Sequence, residues 1–562
     1  MFRMSKDFIS VKYLLAIIAI ILFLCTIVTM PRLDVTEPNV FFYLQNLPPL
    51  YYVCLFFSLS VALFFKRGTV SLIAAIIFGL LLLWTPSFMI VQLWPMDTFP
   101  FLGEAVYVTR TGYASTDVLG ETPGLGLFVG SFLSLTDIDP FLVAKLYPAF
   151  FTVIFVTFLY LIGKELGLEK VPVLVPLLSV AVMWPNEIHL SRQCFSLIFY
   201  VAALFLFLRL MKKRDRRIWA LLLFTILLLV ISHPISSIFF MTSLGAIIVL
   251  GSVLRKLQSK DYHLIVNTLF FTGVSWIVWN AYCLQTSKGL DVLVQLSQSF
   301  MTAILKNPTE VSGMSRILGG YTSIYSAIIN LRFGLTVFIG LSAIVFSAII
   351  YGYAKNKKNV TLSISWLAPG AVSAVLLLYV GLPFMARPAL FFFISWAPLG
   401  AWVYNRLDQK RLKTLKIIFI SVFIILPALL LPIIKYAPLP FTFATSQELA
   451  AVTFIDTYYN GSRYLYLEAS PPYSYSYVAY GFQNTSRLLT IEFWHIPEEG
   501  LDQNLVARYP TLVIYRVITR DAFWEYNPSM SDVVTNLTLC EETLNKVYDS
   551  GWPYSVFTPH NP

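Results

Sequence analysis

The feature that most constrains this chain is a series of unbroken apolar runs, each about 17 to 25 residues long, which is the length a helix needs to cross the ~30 Å hydrocarbon core of a bilayer. Lipid supplies no hydrogen bonds to the backbone, so such runs must close their own as helices. They fall near residues 11–30, 49–65, 69–93, 141–163, 171–186, 194–211, 218–233, 235–253, 264–283, 333–354, 361–381, 388–404 and 415–434, giving about thirteen spans. Composition agrees: 57% of the 562 residues are hydrophobic and 12% are charged, where a soluble domain carries roughly a quarter. The first run follows Arg3, Lys6 and Lys12 but has no small-residue cleavage site before Pro31, and so reads as a retained anchor.

Basic loops resist translocation, so the placement of Lys and Arg orients the chain. Lys66 and Arg67, Lys164 and Lys170, the block Lys212 to Arg217, Arg255 to Lys260, Lys355 to Lys358 and Arg406 to Lys416 all fall on one side, taken as cytoplasmic together with the N-terminus. The opposite loops hold scattered charges only, among them Arg110, Arg192 and Arg387. The net charge of +10 is thus distributed between apolar runs and is not a nucleic-acid face. Five cysteines without C-x-x-C spacing argue against a disulfide framework or a zinc site.

An odd number of spans leaves residues 437–562 outside the cell as a small soluble domain, against a membrane domain of residues 1–436. Its three N-x-S/T sequons, at Asn460, Asn484 and Asn536, agree with that placement. Thr445 and Glu448 form a capping-box pattern that predicts a helix over 446–459, ended by Asn460 and Gly461. Strand patterns follow at 463–468, 487–493 and 511–517, and a second helix is expected at 540–549. The fold class is therefore a polytopic α-helical membrane protein with a C-terminal α/β extracytoplasmic domain.

Candidate site residues gather at the outer boundary. The loop 94–140 is long and rich in aromatic residues, and Asp97 follows Trp94 and Pro95 at the end of a span, where a carboxylate is costly unless paired or facing a wet cavity. Asp97 reads equally as an interfacial cap or a salt-bridge partner. Glu104 shares its face if 97–110 is helical, or belongs to a solvated stripe. Asp137 and Asp139 mimic a metal-binding DxD, but Asp139 before Pro140 also reads as an ordinary helix cap.

The segment NEIHLSRQ brings Glu187, His189 and Arg192 to the same boundary, with too few ligands at helical spacing for a metal. Arg192 has Asp97, Glu187 or an anionic headgroup as candidate partners. His233 precedes Pro234 at a helix break. Arg387, flanked by prolines between apolar runs, suits a phosphate or snorkels to the headgroups. No cofactor is called for with certainty, and dependence on a divalent metal stays open.

Asp97, the helix and Gly turn from Tyr107 to Gly112, the stretch ETPGLGLFVGSFLSL, Lys145-Leu-Tyr-Pro and Ser191-Arg192 occur in an order that resembles the GT-C glycosyltransferases using polyprenyl-phosphate sugars, especially the family-39 protein mannosyltransferase and aminoarabinose transferase branch. The resemblance covers residues 85–215. It implies an inverting transfer from a polyprenyl-phosphate-linked sugar to a glycan, lipid or protein acceptor on the outer face. Asp97 would be the general base with Glu104 as the second acidic candidate, Arg387 and Arg192 would hold the phosphate, and Glu187, His189 and His233 would line the substrate. Three features depart from the pattern: Thr98 stands where many members carry a second acid, Lys145 replaces an Arg, and two spans precede the Asp97 loop. The competing readings are a transporter or flippase for lipid-linked sugars and a non-catalytic assembly partner for them.

Overall fold

The computed structural model describes residues 6–33, 42–95, 98–113, 122–184, 188–253, 258–283, 324–353, 362, 364–367, 389–409, 412–436 and five strands beyond residue 463. The first part is helical: α1 (Lys6–Thr29), α2 (Phe42–Gln45), α3 (Pro49–Phe65), α4 (Thr69–Leu83), α5 (Thr85–Met89), α6 (Thr98–Thr111), α7 (Gly124–Thr136), α8 (Pro140–Glu165), α9 (Leu174–Ala181), α10 (Arg192–Lys213), α11 (Arg216–Ser232), α12 (Pro234–Val253), α13 (Ser259–Tyr282), α14 (Ile324–Tyr353), α15 (Ala389–Gln409), α16 (Lys413–Ile420) and α17 (Leu426–Tyr436). A π-helical turn, Ser421–Ile425, joins the last two.

Seven helices among the described residues are long and apolar enough to cross a membrane. Their outward faces carry large bare apolar side chains, such as Val28 at 84% exposure and Phe270 at 71%. A bundle with this much apolar surface would aggregate in water, whereas lipid covers it without cost. The protein is a multi-pass α-helical membrane protein.

Local chemistry sets the helix ends. The Asp139 carboxylate accepts the N–H groups of Phe141 and Leu142 at 3.4 and 3.1 Å, with Pro140 in the first turn. Ser191 caps α10 through the Cys194 N–H, and Asp215 caps α11 through the Arg217 N–H. Between α11 and α12 the extended backbone of His233 and the following Pro234 break the helix. α9 is the centre of the bundle, with all eight of its residues buried against α4, α8, α15 and α17.

Two spans differ from the sequence reading. The run 69–93 divides at Trp84, where Pro86 in the first turn of α5 restarts the helix. The run 171–186 is helical only over the eight residues of α9, about 12 Å of rise at 1.5 Å per residue.

The C-terminal strands are β1 (Tyr464–Leu467), β2 (Leu488–Ile491), β3 (Val513–Arg516), β4 (Leu544–Asp549) and β5 (Tyr554–Pro559), in the order β2-β1-β3-β5-β4. β1 pairs in parallel with β2 and β3, and β3–β5 and β5–β4 are antiparallel. The helix expected at 540–549 is corrected here. Leu544–Asp549 is an edge strand that pairs antiparallel with β5, so strand pairing overrides the local helical pattern. The helix expected at 446–459 lies outside the described residues.

Candidate functional site

Helices α6 and α7 form a close hairpin against the end of the bundle at which α10 begins. Gly130 on α7 makes the approach: a Cβ there would stand 2.7 Å from Val108 Cβ and 2.8 Å from the Ala105 carbonyl oxygen. The Thr109 hydroxyl bonds both the Ala105 and Gly130 carbonyls, tying the two helices together. This hairpin carries Glu104, buried on α6.

Glu104 meets Arg192, the first residue of α10. Arg192 Nη2 donates to Glu104 Oε1 at 2.5 Å and Nε to Oε2 at 3.4 Å, a two-pronged pair that fixes orientation as well as distance. The guanidinium also lies 5.7 Å from the centre of the Phe101 ring, within cation–π range. The partners differ in solvent access, the Glu104 side chain being 7% exposed and that of Arg192 21%. Burial pushes the Glu104 carboxyl up to about 7, while the charge and hydrogen bonds of Arg192 pull the other way.

A polar track continues inward from this pair. Ser196, one turn along α10, lies 2.7 Å from Ser236 Oγ on α12, and Ser236 lies 3.3 Å from His233 Nδ1. His189 is buried in the segment leading into α10. Gly124 seats the start of α7 against Ser232, the last residue of α11.

Of the residues singled out from sequence, Glu104, Arg192, His189 and His233 thus lie on elements of this end, while Asp97, Glu187 and Arg387 lie outside the described residues. The sequence reading offered Asp97 or Glu187 as the partner of Arg192, and the structure supplies Glu104, 88 positions away in the chain. Ser196 and Ser236 were missed, although Ser196 is one helical turn from Arg192. Asp139 is occupied as a helix cap, and Asp137 ends α7 in the left-handed conformation. Lys145 donates to the Ile90 carbonyl at 3.2 Å and to that of Val91, and its own carbonyl accepts from Trp84, so it ties the segment after α5 to α8. No group of three or more metal-ligating side chains occurs among the described residues.

The opposite end of α10 lies ~33 Å away by helical rise and holds a second charged region. Lys212 there bonds Glu165 at 3.1 Å, beside a cavity of about 770 Å³. Near it Asp408 joins Lys66 and Lys416, at 3.2 and 2.6 Å.

The described residues thus form a helical membrane bundle with charged groups at both ends of α10. No family model matches the chain. Over 100 residues, 18% of this chain, it is 32% identical to a UDP-galactose transporter of Schizosaccharomyces pombe, and the matched stretch spans 27% of that protein. That similarity corrects the glycosyltransferase reading. The matched protein is a transporter, and neither the GT-C resemblance nor a polyprenyl-phosphate donor has a counterpart in the comparison. The geometry accords with the correction in one respect: Glu104, the second acidic candidate, is already engaged by Arg192.

Proposed function

We propose that this chain is a membrane transport protein for a sugar joined to an anionic, phosphate-bearing group, of which a nucleotide sugar such as UDP-galactose is the first to test. The observation that carries the reading is the partial identity with the UDP-galactose transporter, which spans about a quarter of that relative. A second support is the Glu104–Arg192 pair, a cation held by a carboxylate at one end of the bundle.

A carrier must bind a charged substrate and then release it, and a guanidinium whose partner is a carboxylate can trade that partner for a phosphate oxygen. In this reading Arg192 is the substrate cation and Glu104 its internal substitute when no substrate is present. Proton uptake by Glu104, whose carboxyl is pushed up to about 7, lowers the cost of that exchange. His233, His189, Ser196 and Ser236 supply hydrogen bonds for the sugar, and Asp97, Glu187 and Arg387 complete the same boundary. The proposed topology has about thirteen crossings. The N-terminus is cytoplasmic and residues 437–562 form an extracytoplasmic domain, following the distribution of Lys and Arg.

Uptake of radiolabelled UDP-galactose and other nucleotide sugars into proteoliposomes of purified protein tests the reading. The expected result is saturable uptake that Arg192→Gln reduces at least tenfold while the protein still elutes as a folded species. Accumulation no greater than in protein-free liposomes, for every nucleotide sugar tried, would remove the proposal.

A further inference from the structure

The cavity at the far end of α10 has a composition that nothing in the proposed transport step requires. Its walls come from the starts and ends of helices: Lys12 on α1, Phe65 at the end of α3, Arg67 before α4, Tyr160 and Lys164 on α8, and Lys212 on α10. At about 770 Å³ it falls within the range of small-molecule sites, roughly 300–1,000 Å³.

Charge within it is unbalanced. Four cations line it against the carboxylates Glu165 and Glu169. Glu165 is already taken, by Lys212 at 3.1 Å and Arg209 at 3.8 Å. Among the described residues no carboxylate oxygen lies within 4 Å of Lys12, Arg67 or Lys164, so these three converge without a counter-ion of their own.

The floor is built to donate. Tyr160 is 6% exposed, and its hydroxyl oxygen accepts the Gly68 N–H at 2.7 Å. That bond uses a lone pair and leaves the O–H proton unspent among the described residues. Gly68 supplies the φ of +91° that the turn requires, and Lys12 Nζ lies over it, 3.4 Å from where a Cβ would stand. Lys12 also lies 5.8 Å from the centre of the Phe65 ring, which limits its swing into solvent.

We infer that this basin binds a phosphate or diphosphate group, with Lys12, Arg67 and Lys164 as its cations and the Tyr160 hydroxyl as a fixed donor. Two sources carry that chemistry at a membrane boundary: a soluble nucleotide and a phospholipid headgroup. The inference does not depend on transport at the Arg192 end, and its test measures binding alone.

The test is calorimetry on the full chain in phospholipid-free detergent, titrated with inorganic pyrophosphate and, separately, UDP. The expected outcome is binding that weakens at least tenfold in the Arg67→Gln, Lys164→Gln double variant and severalfold in Tyr160→Phe, and that falls as salt screens the cations. Arg67 and Lys164 are exposed, so an unchanged melting temperature verifies that the double variant is folded. A second arm repeats the pyrophosphate titration in nanodiscs of phosphatidylglycerol and of phosphatidylcholine. Loss of binding only in the anionic nanodiscs assigns the site to a headgroup, and equal binding in both assigns it to a soluble phosphate. Absence of pyrophosphate and UDP binding in detergent together with unaltered binding of anionic lipid in the double variant overturns the inference, as does anion binding that the double variant leaves intact. Binding with failed nucleotide-sugar uptake would uphold this site and remove only the transport reading.

Discussion

Arg192 and Glu104 form the most completely specified ion pair at the α6–α10 end, and they enter it with unequal access to water, 21% against 7% of their side-chain surfaces. That inequality makes the two ends of the pair respond differently to removal. Arg192→Gln leaves a carboxylate enclosed by protein, and stranding a buried charge costs about 3–5 kcal/mol. Glu104→Gln keeps a hydrogen-bond acceptor and leaves a cation that water reaches, so its cost should be nearer ~1 kcal/mol. Melting temperatures in detergent at pH 8 should fall markedly more for Arg192→Gln. Equal losses would mean that the pair is solvated and contributes by contact alone.

The same pair predicts a pH dependence. The folded protein holds the Glu104 proton more tightly than the unfolded chain, because burial pushes the carboxyl from its ordinary 4.5 up to about 7. Its contribution to stability is therefore fully present below about pH 4.5, shrinks as the pH rises towards 7, and is lost above that value. The total is on the order of 3 kcal/mol. Glu104→Gln cannot titrate, so the melting temperature of the natural protein relative to this variant should decline between pH 4.5 and 7 and then level off. A relative rise across that window would show that Arg192 outweighs burial.

Much of the frame was legible because it is local. Asp139 with Pro140 and His233 with Pro234 act within a turn of themselves, and each pair stands where a helix starts or stops. The strands Tyr464–Leu467, Leu488–Ile491 and Val513–Arg516 likewise fall within alternating stretches of the sequence. What escaped depends on distant chain. Leu544–Asp549 carries a helical pattern, and only pairing with Tyr554–Pro559 makes it a strand. The partner of Arg192 lies 88 residues away, and the basin around Tyr160 collects residues from four helices and the turns beside them, whose charges look like ordinary flanking charges in sequence. The functional error arose in the same way: the order of Asp97, Lys145 and Arg192 resembles a transferase pattern, whereas the structure commits Lys145 to backbone carbonyls and Arg192 to Glu104.

The α6–α7 hairpin should be intolerant of a single methyl group. Gly130→Ala would place Cβ 2.7 Å from Val108 Cβ and 2.8 Å from the Ala105 carbonyl oxygen, and the latter is backbone that no rotamer change can move. Overpacking of this kind costs about 1–3 kcal/mol. Gly245 in α12 meets nothing within 4 Å and is the matched control, where alanine should be neutral or stabilise by about 0.5–1 kcal/mol. Thermal melts of the two variants should move in opposite directions or differ by several degrees. Similar melts would show that the hairpin opens freely.

The last prediction separates a helix cap from a metal ligand at Asp139. Both of its carboxylate oxygens face backbone N–H groups, Oδ1 that of Phe141 at 3.4 Å and Oδ2 that of Leu142 at 3.1 Å. A cap needs an acceptor of the right length and not a negative charge, so Asn and Ser serve it nearly as well as Asp, whereas Ala loses about 0.5–2 kcal/mol. A divalent-cation ligand behaves oppositely, since replacing a carboxylate with an amide removes most of its affinity for a hard cation. Asp139→Asn should therefore melt within about a degree of the natural protein, and Asp139→Ala several degrees lower. Added Mg²⁺ or Mn²⁺ should shift neither natural protein nor variants. A melting temperature that rises with Mn²⁺ in the natural protein, and does so no longer in Asp139→Asn, would assign Asp139 to a metal and reopen the DxD reading of Asp137 and Asp139.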